Sequence, residues 1–386
     1  MVIFFAQGVA ALSWMPRIPE FIANLGVSKE VWGTLIGVGG IGAIIPLVFT
    51  NRLVQGFGTS PIIRTTSIAM IALFMALPYP TQWWLFLALH FSLSFVLSVF
   101  NIALNSQAVV FQKSINKVLL ASFHGAWSIG AACSAAVTSL VAVFTPLKVQ
   151  MLIIPLVVLG LFLWAGKELL TEKEDSHFKE QPKEKAPSWR KSPAYLWLLS
   201  VGLFAGMWPE LVVMDWSSVY SREVLNLDPS RAAWPYTVFV AAMIVGRFSI
   251  TRLTAKYSIN RLSQIGGLFG TAAMALAIFT SSSLAETNQS LALLSLCFFF
   301  AIAGLGIASM VPSFYSAAGH ISKLPTPAAL SRMALFSSLV VIFARMFMGS
   351  LTERFGIPLA MIFPISMFLI AALISAAIAN RNKKLE

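Results

Sequence analysis

Residues 207–216 read MWPELVVMDW, which places two acids, Glu210 and Asp215, five positions apart in an otherwise apolar run. A carboxyl group in such surroundings can hold an arginine, bind a polar solute or, where desolvation favours the neutral form, carry a proton. Five helical residues turn through about 500°, so the two acids point roughly 140° apart and do not form a pair on one face. Glu210 is the leading candidate, with a structural ion pair and proton or solute handling as its competing roles. Pro209 removes a backbone donor beside it and favours a kink at that level. Asp215 reads as a wet or capping residue near the helix end, and Trp216 and Tyr220 as interfacial aromatics.

Other polar residues interrupt apolar segments. Asn101 and Asn105 are four apart and share a helix face, as amide ligands for hydroxyls of a solute would require, while interhelical hydrogen bonding explains them equally well. His124 is a proton relay or a packed histidine beside Gly125. Arg345 falls within a span and needs an anion, and Arg17 is a second cation that could serve Glu210. Arg52, Arg247 and Arg252 lie at one boundary and read as latches between helices. His90, His177 and His320 are isolated. Cys133 and Cys297 have no ligand spacing and read as small buried hydrophobes, so no metal or other cofactor is expected. No nucleophile elbow, metalloprotease helix or ATP-binding loop is present, which points away from an enzyme and from a primary pump.

The elements that must position these residues follow from composition. Apolar residues make up 58% of the 386 and charged ones 11%, which predicts an all-α integral membrane protein. Twelve segments are long enough to span: 1–22, 31–53, 61–78, 83–111, 119–143, 147–166, 195–218, 232–253, 262–280, 290–318, 329–351 and 357–380. The opening run MVIFFAQGVAAL lacks a basic leader and a cleavage site, so it reads as the first span, with room for a short leader ahead of it. With the amino terminus inside, 20 of the 27 Lys and Arg fall on the cytoplasmic side and six outside, with Arg345 in a span. Both termini are therefore expected in the cytoplasm, and the net charge of +12 reflects a basic face toward anionic lipid, not a nucleic acid partner. The charged stretch 167–192 reads as a cytoplasmic linker between an amino-terminal half, 1–166, and a carboxy-terminal half, 193–386.

The halves resemble each other. WMPRIPEF (14–21) aligns with MWPELVVM (207–214), pairing Arg17 with Glu210, and SKEV (28–31) aligns with SREV (221–224) at the same offset of 193. NRLVQGFG (51–58) meets TRLTAKYS (251–258) at an offset of 200. A duplicated six-helix unit with parallel halves is a transporter architecture. Equivalent positions predict that Arg17 and Glu210 approach when the outer side closes, with Arg345 as the rival partner of Glu210. The run GTLIGVGGIGA (33–43) spaces small residues for close helix packing.

On these residues the chain resembles the major facilitator superfamily. NRLVQGFGTSPIIR, with Arg52, Gly58 and Arg64, is similar to the signature turn after its second helix, although Asn51 replaces the usual aspartate; VGRFSITRLTAKYSINR, with Gly246 and Arg247, is similar to the second-half counterpart. NIALNSQAVVFQKSINKVLLASFHGAWSIGA (101–131) resembles a bacterial inner-membrane branch allied to fucose-permease-like porters, matching at Asn105, His124, Gly125, Ser128 and Gly130, with Asn101 in place of an acid. Glu210, Asp215 and Trp216 match that branch's seventh-helix pattern. The resemblance implies twelve helices in two pseudo-symmetric halves and alternating-access transport of a small polar, sugar-like solute in the inner membrane, by a monomer. The proton is the expected coupling ion, through Glu210. The alternatives are an efflux pump for amphipathic compounds and a non-transporting receptor or scaffold that keeps the fold.

Overall fold

The computed structural model describes residues 1–115, 119–170, 192–319 and 326–383. The chain divides into two compact units, Met1–Lys183 and Glu184–Glu386. Most of the expected linker, together with His177 and His320, lies outside the described residues.

In the first unit the helices are α1 (Val2–Leu12), α2 (Ile18–Leu25), α3 (Lys29–Gly39), α4 (Pro46–Phe57), α5 (Thr59–Ala76), α6 (Trp83–Ser114), α7 (Leu120–Val141) and α8 (Leu147–Ala165). The second unit holds α9 (Ala194–Glu223), α10 (Pro229–Leu253), α11 (Ile259–Leu284), α12 (Gln289–Ile307), α13 (Met310–Gly319), α14 (Thr326–Phe355), α15 (Ile357–Ala360) and α16 (Ile362–Lys383). Among the described residues, 10 helical stretches are long and apolar enough to cross a membrane. They coincide with ten of the expected spans. The first expected span is instead two helices joined by a 3-10 turn at Met15–Arg17, and the fifth, α7, carries His, Ser and Thr that dilute its hydropathy.

Large apolar side chains point outward, among them Phe144, Phe279 and Phe343, 85%, 72% and 68% exposed. In water such a surface would be unfavourable; against lipid it costs nothing. The same reasoning corrects the expectation for the cysteines: Cys133 is exposed and Cys297 partly so.

The break in the first span follows from Pro16 and Pro19, which withdraw backbone donors from what would be one helix. The carbonyl of Ser13 is satisfied from other helices, by the Thr138 hydroxyl at 3.1 Å and the Gln150 amide at 2.9 Å. A membrane interior tolerates a broken helix only on such terms. By contrast α9 runs unbroken through Pro209.

The caps revise the repeat. Ser28 caps α3 by accepting from the Val31 amide, but Ser221 lies inside α9. The residue that caps α10 is Asp228, which accepts from the Ser230 and Arg231 amides, at the offset of 200 and not 193. The extra residues of the second unit therefore lengthen α9. Partial burial works against the Asp228 carboxylate, but the Arg231 side chain and the helix amides outweigh it and hold the group below its usual range.

Close packing uses glycine. A Cβ on Gly8 would collide with the Trp127 carbonyl, and one on Gly130 with the Phe5 carbonyl, so α1 and α7 touch backbone to backbone. Gly39 and Gly42 of the small-residue run meet His90 and the Phe91 carbonyl of α6 in the same way. Gly130→Val should therefore lower the apparent melting temperature in detergent by about 5 °C or more, whereas Gly160→Ala, at a position with open space around it, should leave it unchanged.

Candidate functional site

Helix α9 packs on α10, α14 and α16, and two of these neighbours supply cations to its acids. Arg345 of α14 donates through Nε to Asp215 Oδ2 at 2.8 Å and through Nη2 to Oδ1 at 3.3 Å. This two-point pair is deeply placed, with the Asp215 side chain 4% and the Arg345 side chain 17% exposed. Arg247 of α10 reaches Glu210 with Nη2 3.4 Å from Oε2, and both partners stay partly open, at 37% and 21%. One pair is short and enclosed; the other is long and accessible.

Three sequence expectations are corrected here. Asp215 is not a wet capping residue but a second buried acid, because Arg345 neutralises it. Trp216 and Tyr220 are fully buried and not interfacial: the Tyr220 hydroxyl lies 2.7 Å from Ser281 Oγ and 2.8 Å from Ser282 Oγ on α11. Within its unit Glu210 takes as its partner not Arg345 but Arg247, which the sequence suggested only as a boundary latch. The long arginine stem lets a cation reach an acid well above its own backbone level.

In the first unit Arg17 is buried and committed. Its Nε donates to Glu20 at 2.8 Å, Nη1 to Gln150 Oε1 at 2.7 Å, and both terminal nitrogens to the Thr145 carbonyl at 3.2 Å. Asn101 is exposed and its Oδ1 accepts from the Gln7 amide of α1 at 2.6 Å. Asn105 donates from Nδ2 to the Asn101 carbonyl at 2.8 Å. The two asparagines thus offer a donor, Asn101 Nδ2, and an acceptor, Asn105 Oδ1, about one helical turn apart. His124 is exposed at the start of α7, edge-on to Phe4 with ring centroids 5.7 Å apart. Arg52 and Arg252 are exposed near the ends of α4 and α10.

Sequence reasoning passed over Gln7, which is buried in an apolar run, and Tyr236, whose buried hydroxyl has no hydrogen-bond partner. An intramembrane amide is the signal that would have found Gln7. Tyr236 carried none, because a tyrosine in a span is ordinary. No group of three or more His, Cys, Asp or Glu suited to a metal occurs among the described residues.

Residues 1–323 match the model of the Major Facilitator Superfamily. The chain is 27% identical over 336 residues to an uncharacterized transporter of Sinorhizobium fredii, covering 86% of this chain and 85% of the relative. It is 25% identical over 369 residues to an uncharacterized MFS-type transporter of Yersinia pestis, covering 88% and 89%. Among solved structures, a variant of the nucleoside transporter NupG superposes with a TM-score of 0.79 at 11% identity, covering 98% of each chain. An inward-facing bacterial homologue of the human lysosomal transporter Spinster superposes at 0.70 and 14% identity, covering 98% of this chain and 95% of that one. With a family match over most of its length, the chain belongs to the Major Facilitator Superfamily.

Proposed function

We propose that this protein is a secondary active transporter that moves a small polar, sugar-like or related metabolite across the bacterial inner membrane by alternating access, driven by protons through Glu210. On this reading twelve spans form two six-helix halves, 1–166 and 193–386, joined by the cytoplasmic linker 167–192, with both termini inside.

The observation that carries the proposal is the contrast between the two ion pairs of α9. A buried carboxylate–guanidinium pair held at two points is hard to open, because parting the charges leaves both without compensation. Asp215–Arg345 is of that kind and fixes α9 against α14. Glu210–Arg247 makes a single long contact and leaves both side chains partly exposed. Protonation of Glu210 removes its attraction for Arg247 and lets the two helices part at that level; loss of the proton restores it. Proton-driven transport calls for an acid that titrates on a helix held in place, and on this reading α9 provides both. Asn101 and Asn105, with a neutral donor and a neutral acceptor, suit hydroxyl-bearing solutes better than ions.

Two outcomes follow. A solute is found first by thermal stabilisation of the purified protein, since a ligand at 100 times its dissociation constant adds about 2.7 kcal/mol. In proteoliposomes with an imposed pH gradient, Glu210→Gln should then abolish uphill accumulation of that solute while sparing exchange, and unchanged accumulation would refute the proton role. Separately, Asp215→Asn should cost about 3–5 kcal/mol of stability by stranding Arg345, and the double change Asp215→Leu with Arg345→Met should recover most of it, read by thermal unfolding in detergent.

A further inference from the structure

Serines inside the helices of this protein usually return their hydroxyl to the carbonyl four residues back. Ser139 does so to Ala135 at 2.7 Å, Ser200 to Leu196 at 2.9 Å and Ser281 to Ala277 at 2.6 Å. Ser217, Ser218 and Ser221 of α9 do not. Their hydroxyls are buried and have no hydrogen-bond partner, and the same holds for Trp208 Nε1, Trp216 Nε1 and Arg222 Nη1 on this helix and for the Tyr236 hydroxyl of α10. Six such atoms within fifteen residues of one helix are far from the pattern of protein interiors, where nearly every buried polar atom is paired.

The arrangement is ordered. Glu210, Ser217 and Ser221 are seven and then four residues apart, which keeps them within about 40° of one line along α9. Asp215, Ser218 and Arg222 form a second line within about 60°, turned about 110° from the first around the helix. Each line begins at an ion-paired acid and runs toward the Glu223 end of the helix, where Arg222 is partly exposed. Tyr236, on the adjoining helix, lies close enough to feel the charge of both acids.

We infer that this stretch of α9, with Tyr236, holds a file of internal water that runs from the Glu223 end to the level of Glu210 and Asp215. Three serine hydroxyls and a phenol, each able both to donate and to accept, give such waters the two to four partners they need. On the reading of Glu210 as the proton carrier, the file is the route by which that carboxyl exchanges protons with the side of the membrane at the Glu223 end, and the hydroxyls are positioning residues for its waters.

Two tyrosines make the test internal to the protein. Tyr220 and Tyr236 are both fully buried, but the Tyr220 hydroxyl is bonded to Ser281 and Ser282 and that of Tyr236 to nothing. Brief X-ray radiolysis in water labels side chains that touch bound or bulk water, and mass spectrometry reads each site. In the unmodified protein Tyr236 should label about tenfold faster than Tyr220, as expected where water sits in contact with it. In Ser217→Val/Ser221→Val, if its thermal stability matches that of the unmodified protein, the Tyr236 rate should fall toward that of Tyr220. Equal slow labelling of both tyrosines in the unmodified protein would overturn the inference, without need of any variant. The result does not depend on a transported solute: rapid Tyr236 labelling together with unimpaired uphill transport in Glu210→Gln would leave the water file in place and remove its proton role.

Discussion

A charge set among apolar helices lacks the bulk water that would answer it at a surface, so its counter-charge comes from a neighbouring helix, and this requirement orders the second unit around α9. Asp215 draws in Arg345 from α14 and Glu210 draws in Arg247 from α10. Each pair specifies which helices are neighbours and at what height they meet, information that greasy side chains, equally content against lipid, do not provide. The enclosed pair is held at two points, whereas the other makes one long contact between partly exposed side chains. The two kinds of pair thus sit about 1.4 turns apart on a single helix.

The same rule applied to the backbone shapes the first unit. Where the first span breaks, Gln150 and Thr138 reach across to the carbonyl of Ser13, and Gln150 also receives Arg17. Arg17 is the centre of a local network that repairs a broken helix, which argues for a structural duty at this end of α1 and α2. Glycines complete the contact: Gly8 and Gly130 bring α1 and α7 close enough that no side chain fits between them. Polar repair and close approach are complementary, because a donor can reach a carbonyl on another helix only when the helices lie near each other.

The two units differ in how they treat their first proline-bearing span. The first interrupts its opening span at Pro16, while the second carries the corresponding proline through a continuous helix of 30 residues. Capping shows where the difference is absorbed, since Ser28 and Asp228 occupy equivalent cap positions and the added residues fall at the end of α9. That lengthened end is where the unpaired hydroxyls gather.

Sequence alone determined that the chain crosses a membrane many times, because span length and apolar composition are local properties fixed by bilayer thickness. It also singled out Glu210, because an acid in such a run cannot be accidental. It misjudged Asp215, Trp216 and Tyr220, whose distance from the helix end suggested exposure, and it left the partners of Glu210 open between Arg17 and Arg345. Those questions turn on which faces of which helices meet, and residues 130 apart, as Asp215 and Arg345 are, leave no local trace of each other. Only the tertiary structure could decide the pairing, because an ion pair is a property of two helices in contact and the sequence describes them one at a time.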